Sequence, residues 1–340
     1  MNVEICNDRA AWDAYVASRP EASNYHRWGW KDAIEDTFGH ETYYLSAVDG
    51  REISGVLPLV HMKSRLFGNF LISMPFFSYG GVLASDAEAS ESLLARAAEI
   101  GRELDVSHIE LRQSSAQPLA WREATPKVTM ELPLPARVED LWKGLSSGMR
   151  NKVRNGQKSG FRIEWSGAEA VSTFYKVFST NMRNLGTPVY PEAWFANLCK
   201  YFPQEVKIVT LWDGEQAVAS GIVTCYGNTL ELPWSATLPE FRKKNSAILL
   251  YWTLLEWAIT NGFRRADFGR CTKGSGVYEF KKHWNSEERP LHWYYWLAPG
   301  AAVPELRPGN PRYRVATRMW KHLPLAVANL LGPRIVRSIP

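Results

Sequence analysis

The sequence predicts an α/β (α+β) protein built from two successive copies of one unit, each a mixed sheet flanked by helices, with a basic tail behind them. Three observations carry this expectation. The chain has 340 residues, 45% of them hydrophobic and 13% aromatic, enough to bury two cores. Two Asp-Gly turns sit between β-rich runs, and the same order of strand, helix and strand follows each.

The first turn is Val48-Asp49-Gly50-Arg51-Glu52, leading into residues 53–59; the second is Trp212-Asp213-Gly214-Glu215, leading into residues 217–223. Asp and Gly both tolerate positive φ, which a two-residue hairpin requires. After the first turn the pattern predicts a strand over 71–77, a helix over 91–105 and a strand over 108–112. After the second it predicts a strand over 229–235, a helix over 247–261 and a strand over 265–270. Glu110 and Asp267 then fall at equivalent places. A repeat this long implies duplication of an α/β unit rather than a solenoid.

Composition excludes several classes. No run of eighteen apolar residues occurs, and the amino terminus carries acids where a signal peptide has a basic flank and an apolar stretch, so a cytoplasmic protein is expected. Cys6, Cys199, Cys225 and Cys271 lie far apart without histidines at ligand spacing; they read as reduced thiols, and neither a metal site nor a disulfide framework is expected. The net charge of +5 is concentrated in residues 301–340, which hold seven Arg/Lys and one Glu.

Between the copies, residues 143–162 contain no acid. Ser146 or Ser147 can cap a short helix on which Arg150, Arg154 and Lys158 share a face, with Lys152 nearby. These cations suit the phosphates of a nucleotide sugar, a lipid diphosphate or a tRNA end, or else form a solvated face. A helix over 168–185 carries Arg183. The segment Arg242-Lys243-Lys244-Asn245-Ser246 precedes the helix at 247, where Asn245 or Ser246 either caps the helix or forms part of a phosphate loop. In the tail, beyond the Pro- and Gly-rich 299–311, Tyr313, Ala316, Met319, Trp320 and Leu323 line one helical face opposite Arg314, Arg318 and Lys321. This tail either meets an anionic membrane or packs on the body.

The order and spacing of Arg150-Asn151-Lys152-Val153-Arg154, Gln157-Lys158-Ser159-Gly160, Thr180-Asn181-Met182-Arg183, Ala266-Asp267-Phe268-Gly269 and Gly276-Val277-Tyr278-Glu279-Phe280-Lys281-Lys282 resemble the FemA/FemB-like acyltransferase family. The resemblance implies two tandem GNAT-like acyltransferase domains, at 1–135 and 136–300, with 301–340 as the tail and the chemistry in the second domain. It implies transfer of an aminoacyl or acyl group onto an amine of a cell-envelope glycan or lipid-linked sugar precursor. The co-substrate would be aminoacyl-tRNA or acyl-CoA, with no cofactor bound permanently.

Lys281 matches a lysine implicated in stabilising charge during transfer, Arg183 an arginine associated with substrate phosphates, and Trp234 stands where a tyrosine of the substrate site is common. Tyr278 belongs to the same motif. Asp267 either orients the amine and takes its proton or is a structural carboxylate held by Arg264 or Arg270. Asn245 in place of the first glycine of a CoA loop predicts weak acetyl-CoA binding. Trp320-Lys321-His322-Leu323-Pro324-Leu325 and Leu331-Gly332-Pro333 resemble a subgroup linked to exopolysaccharide and PEP-CTERM systems. Two alternatives remain: an acyl-CoA-dependent GNAT N-acetyltransferase, and a non-catalytic membrane-surface adaptor in exopolysaccharide assembly.

Overall fold

The computed structural model describes residues 1–50, 52–304 and 311–340; Arg51, residues 305–310 of the linker before the tail, and the side chains of residues 311–314, Tyr313 and Arg314 among them, lie outside the described residues. Two compact units emerge. One comprises residues 1–127, 290–304 and 336–340, the other residues 128–289 and 311–335.

The first unit begins with β1 (Asn2–Ile5), α1 (Arg9–Ser18), α2 (Gly29–Phe38), β2 (Thr42–Asp49) and β3 (Glu52–Ser64). It continues with β4 (Gly68–Ile72), β5 (Leu83–Ala84), α3 (Ala87–Glu103), β6 (His108–Gln113) and β7 (Arg122–Ala124). The second contains β8 (Val128–Pro133), α4 (Val138–Gly144), α5 (Ser147–Gln157), β9 (Arg162–Ser166), α6 (Val171–Leu185) and α7 (Glu192–Tyr201). Next come β10 (Val206–Asp213), β11 (Gln216–Tyr226), β12 (Thr229–Thr237), α8 (Ser246–Thr260), β13 (Arg265–Cys271), α9 (Gly276–Lys282) and β14 (Glu287–Pro290). Then β15 (His292–Leu297), α10 (Pro311–Trp320) and α11 (Leu325–Val336) complete the chain.

The sheet orders are β1-β2-β3-β4-β6-β15-β7, with β5 beside β3, and β14-β8-β13-β12-β11-β10-β9. Duplication is visible in the registers. Asp49 pairs with Glu52 and Asp213 with Gln216 across the two turns, where Gly50 and Gly214 have φ +62° and +58°. Both hairpins carry a bulge at the same offset, between Ala47 and Val48 and between Leu211 and Trp212. In each sheet a parallel pairing ends on the predicted acid: Ile72 opposite Glu110, and Glu231 opposite Asp267.

Two expectations change. The strand predicted over 71–77 stops at Ile72, because Met74 and Phe76 adopt left-handed backbone angles that break a strand. The boundaries expected at 135 and 300 also move, because β8 lies in the second sheet beside β13, and β15 lies in the first beside β6.

Each core forms where a helix covers the sheet. In the first unit, Leu93, Leu94, Ala97 and Ile100 of α3 meet Leu45, Leu57, Leu59, Leu71 and Ile109. In the second, α8 is apolar almost all round, so it is buried on several sides, against the sheet and against α5. Gly156 makes the α5 approach possible: a Cβ there would lie 3.0 Å from Leu249 Cβ and 3.3 Å from the Asn245 carbonyl oxygen.

The tail packs on the second unit. A Cβ at Gly186, after α6, would meet the Thr317 backbone oxygen of α10 at 2.5 Å, and one at Gly332 of α11 would meet the Val189 nitrogen at 2.8 Å. The face expected from the sequence is corrected: Thr317, Trp320 and the stem of Lys321 turn towards the body, while Ala316 and Met319 are exposed. Small residues decide this, because they let backbones approach closely. Among the described residues no helix is long and apolar enough to cross a membrane.

Candidate active site

The site is organised by the place where β12 and β13 part. Their pairing covers only residues 229–231 with 265–267, although both strands run further. Beyond Asp267, β13 bulges: its register against β8 shifts between Asp267 and Arg270, and Gly269 sits at φ +74°, which favours glycine.

Side chains lock this bulge. Asp267, 2% exposed, accepts hydrogen bonds on Oδ1 from Thr129 Oγ1 at 2.6 Å and from the Gly269 N–H at 2.7 Å. Lys281, in the last turn of α9 and 4% exposed, donates from Nζ to the Gly269 and Arg270 carbonyls at 2.8 and 3.2 Å. An ammonium has three donors, so one N–H remains for another acceptor. Burial holds the Lys281 pKa below the ordinary lysine value, partly opposed by Cys271 and Asp267. Glu131, opposite Asp267 on β8, is pushed up by burial and by the Asp267 carboxylate.

Ser275 caps α9 by accepting the Tyr278 N–H. The Tyr278 hydroxyl donates to Glu288 at 2.6 Å, a bond that pushes its pKa up to about 12, and Lys273 pairs with the same carboxylate at 2.7 Å. Tyr278 is therefore fixed as a donor to Glu288.

Alternation along the strands sorts the remaining residues. Ala266 and Phe268 join the core under α8, which leaves Asp267 on the opposite face. Trp234 shares that face, buried edge-on against Tyr190, Trp194 and Phe195 at 5.5–6.4 Å. Arg183 lies half-buried at the end of α6 over the same layer, and its Nε is buried without a hydrogen-bond partner.

The basic residues lie on the α8 side of the sheet. Arg150 donates to the Lys143 and Leu145 carbonyls at 3.2 and 2.6 Å, so it closes the end of α4, and Arg154 stacks over Trp142 at 5.1 Å. Lys152 and Lys158 are exposed. Ser159 Oγ donates to the Lys244 carbonyl at 3.1 Å, tying the end of α5 to the loop before α8. In that loop Arg242 and Lys243 are exposed, and Lys244 pairs with Asp213 at 2.7 Å. Asn245 occupies the left-handed region at φ +57° and precedes α8 without a side-chain cap hydrogen bond. Ser246 is fully buried and donates to the Phe241 carbonyl. The first-turn N–H groups of α8 thus receive no side-chain cap from Asn245, and Arg242 and Lys243 stand beside them.

Thr129 and Glu131 escaped the sequence reading. They come from β8, which precedes the second copy, and nothing in local sequence couples them to Asp267, which lies 138 residues after Thr129.

Residues 145–282 match the family model of the Acetyltransferase (GNAT) domain. The matched segment spans α5 to α9 and includes every expected site residue of the second unit. The match supports an acyltransferase, the enzyme class expected from the sequence.

No protein of curated function matches the chain. The FemX crystal structure is similar at 16% identity and TM-score 0.68, covering 93% of this chain and 100% of FemX. A C-terminal DUF2156 domain assigned to a lysylphosphatidylglycerol synthetase of Agrobacterium fabrum gives 11%, 0.58, 88% and 94% in the same terms. A tandem GNAT protein from the clavulanic acid biosynthesis pathway gives 11%, 0.56, 89% and 100%. At these identities the likenesses establish the tandem GNAT-like fold, with both sheets flanked by helices, as the sequence predicted.

Proposed function

We propose that the second unit is an N-acyltransferase moving an acyl or aminoacyl group onto an amine of a cell-envelope glycan or lipid-linked precursor. The observation that carries this reading is Lys281: a buried ammonium, fixed by two carbonyls at the parting of β12 and β13, with one donor unspent. In such transfer the amine nitrogen bonds to the acyl carbon, the carbonyl oxygen gains negative charge, and the bond to the donor's oxygen or sulfur then breaks. The amine proton leaves to solvent or to the departing group. The free N–H of Lys281 meets the developing oxyanion, where a dry site makes one donor worth about 3 kcal/mol.

Asp267 is a positioning residue in this scheme. Its Oδ1 already accepts two hydrogen bonds, and both hold the bulge that presents the Gly269 and Arg270 carbonyls to Lys281. Arg183, with its unpartnered Nε, offers a fork for phosphate on the α6 and α7 face, and Trp234 lines the same layer. Donor phosphates are assigned to the α8 side, at the start of α8 with Arg242, Lys243, Lys152 and Lys158. The relatives fit an acceptor from the envelope: FemX and a lysylphosphatidylglycerol synthetase domain share the fold. The exopolysaccharide and PEP-CTERM context rests on the tail motif alone.

Acyl-CoA is a second donor reading, favoured by the GNAT model and by the uncapped start of α8. Aminoacyl-tRNA rests on the family resemblance. Mass spectrometry of ligands co-purifying with the protein, followed by transfer assays with the identified donor and amine-bearing sugars, tests the proposal. Mass gain on an amine that is lost in Lys281→Met supports it. No transfer with any donor leaves the adaptor reading in its place. Acetyl-CoA affinity at the micromolar level, about −8 kcal/mol by calorimetry, assigns the donor to CoA.

A further inference from the structure

α11 is apolar on two opposite faces. Its inner face packs on the second unit through Ala328, which is 1% exposed, and Gly332, whose α-carbon approaches Val189; Asn329 reaches Ser179 at 3.4 Å. The opposite face, about half a helical turn away, carries Val327, Leu330, Leu331 and Arg334, with Leu330 63% exposed. α10 also leaves apolar side chains outward: Val315 and Met319 are 60% and 67% exposed beside Arg318, while Thr317 and Trp320 turn inward. Large apolar side chains clustered on the outward faces of two adjacent helices are unusual for a water-facing surface.

The tail's own sequence charge has one sign. Residues 311–340 contain six Arg/Lys and no Asp or Glu. A second copy of the same surface would set like charges against each other. An interface of acyl chains under anionic headgroups satisfies both halves: it buries leucine, valine and methionine, and it attracts arginine and lysine.

We propose that the outward faces of α10 and α11 form a docking surface for an anionic lipid bilayer, with the helices lying in the headgroup region while their inner faces stay bound to the second unit. The tail is then a rigid membrane-facing plate and not a detachable arm. This inference stands on the tail alone and does not depend on the acyl-transfer reading.

The test is flotation of the full chain with vesicles of phosphatidylcholine, with and without a minority of phosphatidylglycerol, at low and high salt. Binding is expected only with the anionic lipid, and it should weaken as salt screens the cations. Leu330→Asp with Leu331→Asp should lower binding about tenfold or more. Its thermal midpoint should stay near that of the parent, because both side chains face outward. Met319→Asp with Arg334→Glu provides an independent pair should the first fail to fold. Absence of vesicle binding by the full chain overturns the proposal, as does binding that neither pair weakens. Concentration-dependent dimerisation abolished by the same substitutions overturns it too, and assigns the face to a second copy.

Discussion

Replacing Lys281 by Met separates the two tasks given to this side chain. The Gly269 and Arg270 carbonyls lose charged donors at 2.8 and 3.2 Å, and a buried acceptor left unpaired costs about 1–3 kcal/mol. Removing a buried charge offsets part of that loss, so a net destabilisation of about 2 kcal/mol is expected, small enough for a domain to survive. The chemical loss is separate: without its oxyanion donor kcat should fall about 100-fold or more, whereas acceptor binding should hardly change because the charge arises only in the transition state.

The pH dependence adds a signature. Burial lowers the folded pKa below 10.5, so the rate should fall as pH rises through that lowered value, on the acid side of an ordinary lysine. Stability moves oppositely there, because the unfolded lysine keeps its proton longer and stability rises with pH up to about 10.5. Urea denaturation and single-turnover transfer across this range read both. A Met variant that loses stability yet keeps kcat within about twofold would show that Lys281 only straps the bulge, and would refute the proposed chemistry.

Three further outcomes follow from the geometry. Arg183→Ala should raise KM with kcat nearly unchanged in steady-state assays, because its contact to phosphate exists equally before and during reaction; equal losses in kcat and kcat/KM would count against it. His26, fully buried with Nδ1 accepting the Ser23 N–H and Nε2 against the Gly81 carbonyl, has its pKa lowered to about 4 from 6.5 by burial. Stability should therefore fall as pH drops from 6.5 towards 4, by about 3 kcal/mol in denaturation experiments, and His26→Gln should remove that dependence. Gly332→Ala should loosen α11 although alanine is the better helix former by about 1 kcal/mol, because its Cβ meets the Val189 backbone; hydrogen exchange in 325–336 should rise, and unchanged protection would refute the packing.

Some of this molecule was legible in sequence because the deciding interactions are local. The Asp-Gly turns close between adjacent residues, Ser146 caps α5 by accepting from Met149, and the apolar run of α8 announces its own burial. The equivalence of Glu110 and Asp267 followed from spacing alone, since strand and helix lengths count residues along one chain.

What sequence left open depends on long-range encounters. That Arg150 serves the end of α4 while Lys152 stays exposed reflects which carbonyls lie within reach once α4 and α5 fold against one another. The exchange that sends β8 to β13 and β15 to β6 has no local signal, because a strand's partner is chosen by edge availability in the folded sheet. The tail shows the same limit. Periodicity identified an amphipathic stripe, but close approach at Gly186 and Gly332 decided which side packs, leaving Val315, Met319, Leu330 and Leu331 outward. Sequence thus determined which elements exist and which residues carry charge; only tertiary structure decided which carbonyls, strands and faces they meet, because those free energies arise between segments that come together only on folding.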